Sequence, residues 1–488
     1  MSKVYLIGAG PGHEELITLR AVNVLKNCSA IMYDRLCGES FLKYVNSDAE
    51  IYYCGKEPGC HYKTQEEIND MIVSLAKQGH TVGRVKGGDP YIFGRGGEEA
   101  LRLLEEDIEF EVVPGVTSPI SVLNYGGIPV THRGVARGFH IFTAKSKDNM
   151  DLDFPVISRL KGTLIFMMGF EKLSLITNNL IENGMDKNTP CAVVMRGTTS
   201  KQKKAVGTLE NIKERALKNG LANPSIIVVG DVVKFHNQLN WFEKKPLFGK
   251  NICITRTKEQ SREIRERLVD LGGEVTEINS IKIKPTSEKL NPYIEKLSHY
   301  DYIVITSANA ANIFFNYLIE KELDIRNIKA KFITIGPASD KAIRKFGVVP
   351  ILCAKEYVAE NLFEHMKEFI KENDKILLPR SKKARTFLVE ALESKGCIVD
   401  ECHIYEPELG DAVGLNRFKD CDVVVFTSPS TVINMIELVS IEEIKNKTVL
   451  SIGPITSIEL NKNNIEHIVC DKSSNDGMID KLIEIYKK

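Results

Sequence analysis

The chain has one tryptophan and few cysteines, eleven in 488 residues, and no two of them form a Cys-x-x-Cys pair. The nearest spacings are Cys54 to Cys60 and Cys397 to Cys402. That pattern argues against a disulfide framework and a zinc ribbon, so free thiols in a reducing compartment and no metal are expected. Net charge is also missing: Lys plus Arg is 65 and Asp plus Glu is 65. A broad basic face would shift that balance, so sequence-independent nucleic-acid binding is disfavoured, while local basic grooves for a small polyanion stay open. No apolar run approaches the ~18 residues of a membrane span. The start, Met1 to Gly8, enters a strand at once with no signal-peptide core, and a cytoplasmic protein is expected.

Hydrophobic residues make up 43% and charged residues 27%, which is enough apolar material for several cores. At roughly 150 residues per domain the length predicts about three to four. Short β-branched runs such as Val4–Ile7, Thr163–Met167 and Ile226–Val229 alternate with helical stretches, the pattern of α/β layers with largely parallel sheets. A polar stretch near residues 235–250 reads as an interdomain break, with 241–249 as the linker and Trp241 and Phe242 as docking side chains. Beyond it the sequence repeats. Ile252–Arg256 matches Ile376–Arg380, Asp301–Ser307 matches Asp422–Ser428, and Ile335–Ser339 matches Ile452–Thr456, in the same order. The units are too long for a solenoid repeat, so two similar α/β domains facing a cleft are expected.

The first half is marked by glycine loops. Gly8-Ala9-Gly10-Pro11-Gly12 follows a strand and precedes a helix, but His13 occupies the place of the third glycine of a dinucleotide fingerprint and Pro11 removes a backbone donor. A dinucleotide oxidoreductase is thereby opposed, and the Gly-Lys-Ser/Thr of a P-loop is absent from this loop. Three more clusters follow: Arg84 to Glu99, Val113 to Pro119, and Gly126 to Arg133. Each alone reads as turn chemistry; four at successive strand ends predict one lined site.

Together the opening loop, Tyr33-Asp34-Arg35-Leu36, Lys86 to Glu99, Pro114 to Ser118 and Gly127 to Arg133 resemble the tetrapyrrole methylases, uroporphyrinogen-III C-methyltransferase in particular, in order over residues 3 to about 240. The resemblance implies S-adenosylmethionine held in a folded form between two α/β domains. Its contacts would be Pro11, Gly87, Gly88, Asp89, Ile92, Thr117, Ser118, Met168 and Gly197. Asp34 would be the base and Lys56 the proton donor, although by residue type alone Asp34 equally reads as a helix N-cap and Lys56 as a solvated lysine. The implied substrate is an octacarboxylate, for which Arg84, Lys86, Arg95, Arg133 and Arg137 are the candidate clamps. Methylase relatives imply a homodimer through this half.

The second half has no Gly-x-Ser-x-Gly elbow and no P-loop. Its repeated Thr-Ser and Gly-Pro turns offer hydroxyls suited to carboxylates, and on residues alone a bilobed binding module fits as well as an enzyme. The strand and turn motifs from Ile252 to Thr456, with Tyr405-Glu406-Pro407, resemble uroporphyrinogen-III synthase across 250–488. That family implies two flavodoxin-like lobes joined by a two-stranded ladder, one at 285–407 and one combining 250–284 with 408–488. It implies no cofactor, Tyr405 assisting loss of a hydroxyl, and Ser307, Ser339, Thr427, Ser428 and Thr456 holding carboxylates. The expected conversion is hydroxymethylbilane to uroporphyrinogen III and then, by two methylations in 1–240, to precorrin-2 for corrinoid or sirohaem synthesis. No stretch is left for a dehydrogenase or ferrochelatase. The rival is a sensor that binds tetrapyrroles without turnover, and the intact Asp34, Lys56 and Gly87-Gly88-Asp89 argue against it.

Overall fold

The computed structural model describes residues 3–55, 64–144, 152–255, 258–354, 359–410 and 415–487. Lys56 lies outside them. The chain divides into two compact units, one of Met1–Asn251 with Glu266–Glu274 and Leu482–Lys488, the other of Ile252–Arg265 with Val275–Lys481.

Five parallel strands open the first unit: β1 (Val4–Gly8), β2 (Ala30–Tyr33), β3 (Glu50–Tyr53), β4 (Val82–Lys86) and β5 (Phe110–Val113), in the spatial order β3-β2-β4-β1-β5. Alternate residues feed different cores. Val4, Leu6, Ala30 and Met32 pack on one face, and Ile7, Ile31, Tyr33 and Val85 on the other. Burial on both faces explains why these strands read as continuous apolar runs. Because the strands are parallel, the segments after β1, β2, β4 and β5 all leave from one edge, where open α/β sheets bind ligands.

The second sheet departs from the largely parallel expectation. It contains β6 (Phe139–Thr143), β7 (Thr163–Met167), β8 (Pro190–Met195), β9 (Lys203–Thr208) and β10 (Ser225–Val229), ordered β6-β7-β10-β8-β9. Only β6 and β7 run parallel; β10 is antiparallel to both β7 and β8, and β9 is antiparallel to β8. The loop over 196–202 is far shorter than the dozen or so residues a parallel crossover takes, so β8 and β9 must form a hairpin. Since β7 and β8 are both antiparallel to β10, their carboxyl ends leave the same edge. After this sheet Phe242 is buried against Tyr125, ring centroids 4.7 Å apart, and Trp241 meets the same ring at 4.8 Å.

In the second half β11 (Asn251–Ile254), β12 (Glu274–Glu277), β13 (Ile281–Pro285), β14 (Tyr302–Ile305), β15 (Lys331–Thr334), β16 (Leu352–Cys353), β17 (Lys375–Ser381), β18 (Ile398–Leu409), β19 (Val423–Phe426), β20 (Thr448–Ser451) and β21 (Ile468–Val469) make two sheets. Their orders are β12-β11-β19-β20-β21 and β13-β18-β17-β14-β15-β16. When the sequence repeats are aligned, β17 corresponds to β11, β14 to β19 and β15 to β20, so five strands of the larger sheet repeat the spatial order of the smaller one. The smaller sheet follows the flavodoxin-like 2-1-3-4-5 pattern, whereas the larger, counted along its own chain from β14 to β18, runs 3-2-1-4-5 with β13 added beside β18. The chain passes into the larger sheet through β13 and returns through the far end of β18, which pair antiparallel from Ile281 with Leu409 to Pro285 with Tyr405. Among the described residues no helix is long and apolar enough to cross a membrane.

Candidate functional site

In the first unit the glycine loops interlock. Ala9 N donates to Lys86 O at 2.9 Å, Gly88 N to Gly10 O at 2.7 Å and Gly10 N to Gly88 O at 3.2 Å. Asp89 then reaches the third loop, accepting from Gly115 N at 3.0 Å, while its other oxygen accepts from Tyr91 N at 2.8 Å. Gly88 has φ +69°, a conformation open to glycine without strain, and the place a Cβ would take lies 3.6 Å from Ser118 N and 3.8 Å from Thr117 Cα. Thr117 and Ser118 begin the helix Ser118–Tyr125. Pro11, Gly88, Asp89, Thr117 and Ser118 therefore border one backbone-lined notch. Gly115 is pressed closer still: a Cβ there would lie 2.1 Å from Gly88 O and 2.8 Å from Gly8 Cα, both main-chain atoms. Gly115→Ala is expected to force these loops apart, at about 1–3 kcal/mol for overpacking, with faster hydrogen exchange at the Gly88 amide. Unchanged exchange at Gly88 would refute the interlock.

The second sheet completes this notch. His13 N donates to Thr198 Oγ1 at 3.1 Å, tying the opening loop to the segment after β8. Thr198 N is held in turn by Gln202 Oε1 at 2.9 Å. Gly197 lies against Val122 of the helix, where a Cβ would approach Val122 Cγ1 to 2.4 Å. Met168 follows β7 with φ +54° and is exposed, an unusual backbone for a side chain of that size.

Asp34 caps the short turn Arg35–Cys37 by accepting from Leu36 N at 3.0 Å. That turn abuts the notch, because a Cβ on Gly87 would stand 3.0 Å from Leu36 O. Behind Asp34 is a buried ion cluster. Arg84 Nη2 is 3.5 Å from Asp34 Oδ2, Arg84 Nε donates to Glu99 Oε1 at 3.1 Å, and Lys86 Nζ donates to the same oxygen at 2.7 Å. The Glu99 side chain is 0% exposed and its Oε2 has no hydrogen-bond partner. Burial, helped by the neighbouring Arg84, holds the Lys86 ammonium below its ordinary pKa, and Glu99 opposes that shift.

In the second unit Tyr405 is buried and its hydroxyl is 2.9 Å from Ser307 Oγ. Ser307 caps the helix Ala308–Glu320. A bulge aims the ring: β17 and β18 pair Arg380 with His403 but Ser381 with Tyr405, so the register slips by one residue. Burial raises the Tyr405 phenol above its ordinary pKa, while Ser307, Ser381 and the Arg380 guanidinium pull it down.

Residues 3–213 match the tetrapyrrole (corrin/porphyrin) methylases and residues 262–480 match uroporphyrinogen-III synthase HemD. A porphyrin biosynthesis protein HemD of Ruminiclostridium josui is 38% identical over 99% of this chain and 98% of its own length. The chain belongs to both families. A uroporphyrinogen-III C-methyltransferase of Bacillus subtilis is 42% identical over 50% of this chain and 96% of its own. A solved uroporphyrin-III C-methyl transferase of Thermus thermophilus, complexed with S-adenyl homocysteine, is 37% identical over 48% of this chain and 99% of its own, with TM-score 0.42.

Within the methylase half, the structure brings together Pro11, Gly87, Gly88, Asp89, Thr117 and Ser118, with Gly197 on the facing loop and Asp34 alongside. Ile92 is exposed on the loop after Asp89. The candidate substrate clamps divide. Arg84 and Lys86 are buried with their charges taken up by Glu99. Arg95 is exposed and paired with Glu98 at 2.6 Å, and Arg133 and Arg137 are exposed on and beside the turn that pairs His132 with Ala136. Two cations two residues apart on one apolar strand share a face, a sequence signal that a buried anion must answer them. Glu99 was open to discovery that way; Thr198 and Gln202 left no such mark.

In the synthase half, Ser307 and Tyr405 meet, whereas Thr427, Ser428 and Thr456 follow β19 and β20 of the other sheet. Several of these hydroxyls are committed to the backbone. Ser339 is buried and donates to Gly336 O at 2.8 Å, Ser428 accepts from Thr431 N at 3.4 Å, and Thr456 is buried.

Proposed function

We propose that the synthase half closes hydroxymethylbilane to uroporphyrinogen III with inversion of ring D, and that the methylase half transfers two methyl groups from S-adenosylmethionine to give precorrin-2, for the corrinoid or sirohaem branch. The observation that carries the methylase reading is the notch of main-chain groups at Gly88, Thr117 and Ser118 with a carboxylate, Asp34, on the adjoining turn. A glycine-lined cradle that side chains would fill suits a flat, folded nucleoside donor, and Pro11, Gly87, Asp89, Ile92, Met168 and Gly197 would complete it. The donor supplies an electrophilic methyl carbon. The chain positions the macrocycle for in-line attack, and Asp34 accepts the proton that the methylated carbon framework loses. Lys56 is assigned as proton donor by motif alone.

In the synthase half Tyr405, held by Ser307, donates its proton to the departing hydroxyl while the polar turns restrain the bilane, which closes unaided to the wrong isomer. Supplying the purified chain with hydroxymethylbilane and S-adenosylmethionine should yield isomer III carrying two added methyl groups, resolved by chromatography and mass. Isomer I alone rejects the synthase reading; no gain in mass rejects the methylase reading.

A further inference from the structure

The turn between β8 and β9 is held in an unfavourable backbone. Arg196 and Thr198 have φ of +46° and +70°, and Thr198 is both β-branched and buried. Such a conformation persists only where its surroundings over-determine it. Two hydrogen bonds do so here: Thr198 N donates to Gln202 Oε1 at 2.9 Å, and Thr198 Oγ1 accepts from His13 N at 3.1 Å. The same turn presses on the opening loop, since a Cβ on Gly12 would lie 2.9 Å from Thr199 Cγ2. The far end of Gln202 decides which way its buried amide points. Nε2 donates to Tyr125 O at 3.1 Å and to Glu243 Oε1 at 2.9 Å. A carbonyl and a carboxylate can only accept, so the amide nitrogen must face them and the amide oxygen must face Thr198. Glu243 is fixed in turn, its second oxygen 2.9 Å from both Asn240 Nδ2 and Lys204 Nζ. An unbroken path of hydrogen bonds thus runs from Glu243, in the 241–249 segment, through Gln202 and Thr198 to His13.

We propose that Gln202, clamped by Glu243, is a positioning residue for the methyl donor, so that the junction beyond residue 240 is a working part of the methylase half. This rests on the methylase reading above. Gly197, a candidate donor contact, immediately precedes Thr198, and Pro11 stands two residues before His13. The turn and the opening loop border the same notch, and the path from Glu243 fixes one against the other. Without the Gln202 oxygen the Thr198 N–H is left buried and unpaired, and the cheapest relief is for Thr198 to leave its positive φ. The notch must then be re-formed each time the donor binds, which lowers apparent affinity by the fraction of chains still in the competent arrangement. The effect falls on donor binding rather than on the proton-accepting step, because Asp34 sits on the separate turn Arg35–Cys37.

The test measures calorimetric binding of S-adenosylhomocysteine and methyl-transfer kinetics by the full chain as wild type, Gln202→Leu, Glu243→Ala and Glu243→Gln. Gln202→Leu should weaken binding about tenfold or more, the loss expected for one buried unpaired N–H. The KM for S-adenosylmethionine should rise in step, with kcat at saturating donor little changed. Glu243→Ala should lose affinity in the same direction, and hydrogen exchange at the Thr198 amide should quicken in it. Glu243→Gln keeps an oxygen that accepts from Gln202 Nε2, so it should restore both affinity and slow exchange. Full affinity in either Gln202→Leu or Glu243→Ala would overturn the proposal while leaving the methylase reading standing. Equal losses in Glu243→Ala and Glu243→Gln would also overturn it, by assigning the effect to the Lys204 charge pair, as would a loss confined to kcat. Should Gln202→Leu melt early, the two Glu243 variants decide on the same terms. A wild-type chain that neither binds S-adenosylhomocysteine nor transfers methyl groups would instead sink the methylase reading itself.

Discussion

Replacing Glu99 by alanine should lower the unfolding free energy of the methylase half by about 3–5 kcal/mol, the usual loss when one partner of a buried ion set is removed. The reason lies in where the two cations are. The Arg84 and Lys86 side chains are 3% and 5% exposed, and both donate to a single Glu99 oxygen. Without it, Arg84 retains a donation to Val85 O at 3.1 Å and a 3.5 Å contact with the Asp34 carboxylate, whose side chain is 30% exposed, and Lys86 faces a like charge across dry protein. The measurement is convenient because the chain's one tryptophan, Trp241, packs on Tyr125 in the same unit. Its fluorescence during urea unfolding should shift to lower denaturant in Glu99→Ala. A Glu99→Ala/Lys86→Met double variant should recover part of the loss, since removing an orphaned charge removes its desolvation cost. A loss below about 1 kcal/mol in the single variant would mean that the cations reach water once Glu99 is gone, contrary to the burial on which the cluster is argued.

Asp34→Asn should slow methyl transfer about 10²–10⁴-fold, the range for loss of a positioned general base, with isomer III formation by the other half unchanged. Asparagine keeps the cap, since its side-chain oxygen accepts from Leu36 N as the carboxylate does. The change therefore separates the proton-accepting role from the structural one, and melting should barely move. Single-turnover mass measurements with saturating donor read the chemical step directly. An Asp34→Asn variant methylating at the wild-type rate would reduce Asp34 to a cap and leave the proton to another group. The rate loss and the stability loss should also be separable: Glu99→Ala perturbs the support behind Asp34, whereas Asp34→Asn leaves that support with one fewer negative charge.

Much of this molecule was legible in the order of its residues. The glycine loops, the Tyr33–Leu36 turn and the tyrosine at 405 carry local conformational and chemical information. Three of the four expected glycine loops leave the carboxyl ends of β1, β4 and β5. The fourth, Gly126 to Arg133, follows the helix Ser118–Tyr125 and not a strand, because turn glycines mark a helix end as readily as a strand end. The antiparallel strands of the second sheet were less legible, because a β-branched run looks the same in either direction and the short loop over 196–202 alone sets the hairpin. The candidate clamps show the same limit. The spacing of Arg84 and Lys86 on one apolar strand signals that an anion must answer them, but the fold alone chooses Glu99, on a helix more than ten positions away, for that place.

The repeat in the second half draws the line most clearly. Sequence by itself determined that two copies of one strand-and-turn pattern exist, since each copy's apolar runs and Gly-Pro or Thr-Ser turns are encoded locally. Tertiary structure decided which strands share a sheet. The first strand of one copy, β11, lies with β19 and β20 of the other, and β17 lies with β14 and β15. The physical reason is the pair of crossing segments: the chain leaves the first sheet immediately after β12 and comes back through the 12-residue β18, so hydrogen-bond partners are chosen by where the backbone can reach rather than by which copy it belongs to.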